Sequence, residues 1–259
     1  MSEDASENAL AIGPLRVVCA GREAALSRLS ACLNEKRGLR VAFANTNLIY
    51  QSLRNGAYAN ELSSFHILND GIGLEIIARL LHGRGFPDNL NGTDFTPLVL
   101  KAAPPGARIA LVGAKPPALG DAVKRVKRDF PDLTLCFARE GHFADDDADL
   151  VADQLTAAAP DIVLVAMGNP RQERIIALFA RSLPNAVLIG VGALFDFWAG
   201  DKPRAPALMR RLKLEWLFRL SLEPSRLWRR YTIEAAYVAC TLLWRKHAPG
   251  RHSASLERA

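Results

Sequence analysis

Apolar residues along the chain fall in short runs, separated by longer stretches where they recur every three or four positions. Seven runs predict strands: 15–21 (LRVVCAG), 40–46 (RVAFANT), 66–70 (HILND), 108–114 (RIALVGA), 133–138 (LTLCFA), 161–168 (DIVLVAMG) and 185–192 (NAVLIGVG). Their Val, Ile and Leu are nearly continuous rather than alternating with polar residues, the pattern of strands buried on both faces of a parallel sheet. The stretches between them, such as LEIIARLLHG, DAVKRVKRDF and QERIIALFARSL, have helical periodicity. This alternation predicts an α/β fold, a Rossmann-like parallel sheet with helices on both faces. Gly, Pro and Asn in 83–92 (GRGFPDNLNG) and in 103–107 (APPGA) interrupt it and split the sheet into two halves, the second opening with the 108–114 strand.

After residue 200 only helical patterns remain, ALMRRLKLEWLFRLSLE and SRLWRRYTIEAAYVACTLLWRKH, parted by Glu223-Pro224-Ser225. The longest uncharged run there is residues 235–244, about half the roughly 20 residues that a bilayer span requires. Arg and Trp interleaved with aliphatics predict amphipathic helices at a membrane interface instead. The expected organisation is a disordered lead-in over 1–14, an α/β core over 15–200, a basic helical appendage over 201–247 and a disordered tail over 248–259.

Charge sharpens this division. The chain carries a net +6, and residues 201–259 hold 13 Lys and Arg against 5 Asp and Glu, so the excess positive charge sits in the appendage. Such a concentration points to a phosphate or an anionic surface as partner. Nucleic acid is disfavoured, because Trp216, Trp228 and Trp244 interleave with aliphatics as a lipid-facing or packed surface would. The four cysteines are scattered without a CxxC pair, which fits a reduced cytosolic compartment. The acidic, polar first thirteen residues do not resemble a secretory signal.

In parallel sheets, ligands bind beyond the C-terminal ends of the strands, and three such ends are polar here. One carries Asn45, Thr46 and Asn47; a second carries Asn69 and Asp70 before Gly71 and Gly73; a third carries Gly168-Asn169-Pro170-Arg171-Gln172-Glu173. Asp70, at the end of an apolar strand, is either the N-cap of the next helix or a carboxylate whose partial burial suits it to take a proton from a hydroxyl. Asp196, between Phe195 and Phe197, is either a capped turn or a ligand contact. Arg219, Arg226 and Arg229 have the fork geometry of a diphosphate clamp, against the alternative of solvated surface charge. Gly71-Ile72-Gly73 fails the dinucleotide fingerprint because Ile76 stands where the third glycine belongs. Asp145-Asp146-Asp147 reads as a helix start rather than a metal site. The five histidines show no ligand spacing, so no protein-bound metal and no cofactor are expected.

The ordered segments NDGIG, NGTDF, LVGAKP, REGHF, PDIVLVAMGNPRQERI, IGVGALFDFWAGDKPRAP and LKLEWLFRLSLEPSRLWRRY resemble the WecG/TagA/CpsF family of bacterial glycosyltransferases over about residues 15–232. The resemblance implies an inverting, metal-independent transfer of a hexose or N-acetylhexosamine from a UDP-sugar donor to a polyprenyl-diphosphate-linked sugar acceptor. It would serve exopolysaccharide or cell-surface polysaccharide assembly, peripherally on the inner face of the cell membrane, with the appendage contacting the membrane. A catalytically inactive nucleotide-binding scaffold of a membrane polysaccharide complex is the alternative, and a homo-oligomer is left open. By position, Asp70 matches the family's general base, Asn47 an asparagine of its T-x-N turn, and Asp196 its F-D aspartate. Gln172, expected against the donor sugar, matches the glutamine of its P-K/R-Q-E segment, and Arg219, Arg226 and Arg229 match its appendage arginines. Asn45 replaces a threonine found in many relatives and Asn89 an arginine, so the sugar is not taken to be N-acetylmannosamine.

Overall fold

Period-two alternation within the strands decides the layers. The computed structural model describes residues 8–144, 147–200, 204–206, 209 and 214–247, apart from the side chains of Arg226 and His247. The strands are β1 (Ala9–Ile12), β2 (Leu15–Val18), β3 (Leu39–Ala44), β4 (His66–Asn69), β5 (Arg108–Gly113), β6 (Thr134–Arg139), β7 (Ile162–Ala166) and β8 (Val187–Gly190). They form one sheet in the order β1-β2-β4-β3-β8-β7-β5-β6. Among the described strands only the β1–β2 pair is antiparallel. The two expected halves are both present and join where β3 pairs with β8 through Val41 and Ile189.

Ala42, Ala44, Ile67, Val112, Val163 and Val165 bury on one face, against α2 (Thr46–Arg54), α3 (Gly56–Leu62), α4 (Ile72–His82), α7 (Ala148–Ala158) and α8 (Arg171–Ser182). Their strand neighbours Val41, Phe43, Leu68, Ile109, Leu111 and Leu164 bury on the other, against α1 (Arg22–Asn34), α5 (Gly92–Lys101), α6 (Pro116–Asp129) and α9 (Leu194–Ala199). A near-continuous apolar strand thus feeds two cores, as the sequence predicts.

All seven expected strands are present, and β1 is an addition. It lies inside the stretch expected to be a disordered lead-in, which is corrected over residues 9–12. Leu10 and Ile12 are buried, and the chain returns at Gly13 with φ +63°. Only two apolar side chains anchor this strand, too few to stand out beside the acidic residues before it. Residues 1–7 and 248–259, where disorder was expected, lie outside the described residues. So do Asp145 and Asp146 of the acidic run, while Asp147 opens α7.

The appendage comprises α10 (Glu215–Leu222), α11 (Pro224–Arg229), a π-helical segment (Arg230–Glu234) and α12 (Ala235–His247). Pro224 breaks the helix at Glu223 and starts the next, in the first turn where its missing N–H is harmless. α12 docks on the core by burying Val238 and Leu242 and setting Tyr237 edge-on to Tyr50, with ring centroids 5.4 Å apart. Each buried aliphatic contributes about 1.5–3 kcal/mol to that docking. Among the described residues no helix is long and apolar enough to cross a membrane.

Candidate active site

β3 and β4 are parallel neighbours with Ala44 opposite Asn69, so Asn45 and Asp70 leave the sheet side by side. Asn45 caps α2: its Oδ1 accepts from the Asn47 and Leu48 backbone N–H groups, both at 3.1 Å. Asp70 does not cap α4. The cap position there is Gly71 at φ +88°, without a side-chain bond, so the Asp70 carboxylate is left for another partner. The Asp70 main-chain N–H bonds to the Ala44 carbonyl at 2.7 Å, which ties it to the β3 exit.

Asp70 is half-buried. Burial pushes its carboxyl above the usual carboxylate range and the nearby Glu215 adds to that; Arg219, Arg230 and a hydrogen bond from the Asn45 side chain oppose it. The result is a carboxylate with raised proton affinity within the field of two arginines. Arg219 is set over the Phe197 ring of α9, 4.8 Å from its centroid, and lies 3.5 Å from Glu215. Arg230 donates from Nη2 to Asn45 Oδ1 at 3.1 Å. Asn47 Nδ2 donates to Glu234 at 2.9 Å. The appendage therefore completes the first turn of α2 and flanks Asp70.

A loop from the 83–92 segment braces the other side of Asp70. Asn69 donates from Nδ2 to the Asp88 carbonyl at 2.8 Å, Leu90 N–H bonds to the Asn69 carbonyl at 3.1 Å, and Asn89 Oδ1 accepts from Gly71 N–H at 2.9 Å. Asn69 Oδ1 is buried with no protein donor, a free acceptor next to Asp70. Glu75, buried on α4, accepts from Phe86 N–H at 2.9 Å and fixes the loop's start. A β-carbon at Gly73 would stand 2.4 Å from the Thr46 hydroxyl, so Thr46 lies against the first turn of α4.

Gln172, expected against a donor sugar, bonds within the protein at the exits of two strands. It is 3% exposed. Its Oε1 accepts from Gly168 N–H at 3.3 Å and Gly192 N–H at 3.0 Å; its Nε2 donates to Asn169 at 3.1 Å and Glu173 at 2.6 Å. Every hydrogen-bonding position of the amide is thereby used inside the protein, and the side chain clasps the exits of β7 and β8 together. Glu173, fully buried, also accepts from the Tyr58 hydroxyl at 2.8 Å, and burial raises the proton affinity of both groups. Arg171 bonds to the Phe143 carbonyl and covers that ring.

Of the remaining expected residues, Asp196 stands in the first turn of α9 next to Phe197, on which Arg219 rests. Arg229 is exposed, and no contact among the described residues links it to the Asp70 cluster. Arg226 belongs to α11, and its side chain is outside the described residues. Sequence reasoning missed Arg230, Glu215 and Glu234. The signal for Arg230 was the Arg229-Arg230 pair, but spacing along a continuous helix selects Arg229, and the Pro224 break followed by a π turn selects Arg230 instead. Among the described residues no group of His, Cys, Asp and Glu is arranged to hold a metal ion.

The chain matches the model of the family described as "Glycosyl transferase WecG/TagA/CpsF family" over residues 11–252. It is 35% identical to a Bacillus spizizenii protein and 34% identical to a Bacillus subtilis protein, in each case over 212 residues, 81% of this chain and 81% of the relative. Both relatives are named N-acetylglucosaminyldiphosphoundecaprenol N-acetyl-beta-D-mannosaminyltransferase.

Proposed function

The chain belongs to the WecG/TagA/CpsF glycosyltransferase family, and from that premise we propose that it is an inverting transferase moving a sugar from UDP to a polyprenyl-diphosphate-linked sugar. The observation that carries this reading is Asp70, a carboxylate of raised proton affinity at the exit of β4, beside the β3 exit and within the field of Arg219 and Arg230. Asp70 accepts the proton of the acceptor hydroxyl as that oxygen bonds to the anomeric carbon. The bond from the anomeric carbon to the UDP oxygen breaks on the opposite face, and UDP leaves with the electron pair. Negative charge grows on the diphosphate, and fixed guanidinium groups stabilise it in place of a metal. Arg219, Arg226 and Arg229 serve the diphosphates, Asn47 contacts a sugar, and the buried Asn69 shapes that subsite through its bond to the Asp88 carbonyl. Gln172 supports the donor side by fixing the β7 and β8 turns. Asp196 contributes through the α9 surface that carries Arg219.

The membrane surface is proposed to meet the appendage. Trp228, Ile233 and Trp244 are exposed, as are Ile76 and Leu80 on α4, against which α12 packs. Aliphatics and tryptophans mixed with exposed Arg245 and Lys246 suit the headgroup boundary of an anionic leaflet, here the inner face of the cell membrane. The donor sugar is read as a hexose or N-acetylhexosamine, in exopolysaccharide or cell-surface polysaccharide assembly.

The test is UDP release from a panel of UDP-sugars with a short-chain polyprenyl-diphosphate-sugar acceptor, in the presence of EDTA, comparing wild type with Asp70→Ala. Acceptor-dependent release that Asp70→Ala loses supports the reading. Equal turnover by both proteins removes Asp70 as base, and no release with any donor removes the transfer itself.

A further inference from the structure

We infer that Arg230 is a positioning residue for the transfer, holding Asp70 in place through Asn45 instead of gripping a phosphate. This inference rests on the reading of Asp70 as the base. Asn45 has one carbonyl oxygen and one amide nitrogen, and the structure divides them. The oxygen takes the Asn47 and Leu48 backbone N–H groups and the Arg230 guanidinium. Asn45 and Asp70 leave adjacent strands side by side, and the amide nitrogen is the end left to favour the charged form of the Asp70 carboxylate. A flipped amide would set its N–H₂ against three donors and its oxygen against the carboxylate, so Arg230 and the helix cap together fix the orientation. Three donors on one carbonyl also polarise the amide and strengthen its donation to Asp70.

The connection also explains the shape of the appendage. Arg230 and Glu234 open and close the π-helical segment, and they meet two positions at the start of α2: Arg230 bonds to Asn45 and Glu234 accepts from Asn47. One turn further on, Tyr237 seats against Tyr50 of the same helix. Docking of the appendage and alignment of Asp70 are thus one event. A phosphate-gripping arginine needs no such partner, and Arg229, its exposed neighbour, has none in that cluster.

The charged groups facing Asp70 are Arg219 and Glu215 from α10 and Arg230 from the π-helical segment. Asp70 must be ionised to act, so kcat/KM rises with pH through its pKa. The experiment is the pH profile of kcat/KM for wild type, Arg230→Ala, Arg230→Lys, Asn45→Ser and the double variant Asn45→Ser/Arg230→Ala, with Asp70→Asn as control. Serine retains the cap of α2 but cannot bridge. In Arg230→Ala the acid limb moves to higher pH by about one unit, the scale of a nearby opposite charge, and kcat below the limb falls about tenfold. Arg230→Lys restores most of the limb position. With the bridge already removed by Asn45→Ser, adding Arg230→Ala moves the limb by less than it does alone. A limb that stays fixed in Arg230→Ala while KM for donor or acceptor rises overturns the inference and makes Arg230 a phosphate ligand. Equal movement with and without Asn45 overturns it as well. If instead Asp70→Asn keeps wild-type turnover and limb, the reading of the base has failed, independently of Arg230.

Discussion

Two amide–carboxylate pairs stand at strand exits in this protein, and their surroundings differ. Asn45 and Asp70 close β3 and β4 in the first half of the sheet; Gln172 and Glu173 follow β7 in the second. Burial raises the proton affinity of both carboxylates. Gln172 and Glu173 are sealed: every donor and acceptor of the amide is used by neighbouring turns, and Tyr58 closes the far side. Asn45 and Asp70 are half-open, and the partners that set their charge, Arg219, Glu215 and Arg230, all come from the appendage. The lesson is that a buried carboxylate beside an amide is not in itself a catalytic signature. What separates the two is whether a solvent-facing side remains and whether the balancing charge comes from outside the core.

The largest expected effect breaks the comparison at its open member. Asp70→Asn should lower UDP release by about 10²–10⁴-fold, the usual contribution of a general base, while the midpoint of thermal unfolding stays level or rises, because a half-buried carboxylate is replaced by a neutral amide. Arg219→Ala should cost about 10²-fold in turnover, the scale of one transition-state donor, measured at saturating donor and acceptor. At the sealed member the effect moves from rate to stability. Gln172→Ala strips partners from Gly168 N–H and Gly192 N–H and should destabilise the fold by about 1–3 kcal/mol, read from urea unfolding.

The pH dependence of stability sharpens the same contrast with a smaller effect. Glu173 has a folded-state pKa above its unfolded value, so the folded protein binds its proton more tightly. Its influence is most favourable below the unfolded pKa, near 4.5, and stability is lost as pH rises from there through the folded pKa. Glu173→Gln removes that titration and should flatten the decline, without lowering stability at pH 7 by more than about 1 kcal/mol. Smallest of all, exchanging Ile76 and Leu80 for serine should weaken flotation with anionic vesicles by a few-fold, with turnover on a soluble short-chain acceptor unchanged. Undiminished flotation would confine membrane contact to the appendage.

The sheet was legible because its signal is local. Seven apolar runs at the right length cannot easily be anything but buried strands, and β1 escaped because Leu10 and Ile12 are too few to make a pattern. Asp70 and Asn45 were legible as strand-end polar residues, since position along the chain places them at the crevice. The division of labour within the amide–carboxylate pairs was not. Gln172 and Asn45 read alike in sequence, and only the Gly192 turn, twenty residues on, shows that one amide is consumed. Arg230 was hidden for a related reason. Helical arithmetic ranks arginines by a fixed rise per residue, and the break at Glu223 with the wider turn from Arg230 to Glu234 changes which of two adjacent arginines faces inward.

The most direct test of the division between an open, reacting pair and a sealed, structural one is a paired measurement of turnover and urea unfolding on Asp70→Asn and Gln172→Ala. Turnover is taken well below either protein's unfolding midpoint. The account predicts that Asp70→Asn loses turnover by at least about 10²-fold with its stability intact. It predicts that Gln172→Ala loses stability while retaining turnover within about tenfold, an allowance of 1.4 kcal/mol for the slackened turns. Gln172→Ala with undiminished stability and turnover as low as that of Asp70→Asn would contradict it, and would place Gln172 against the substrate after all.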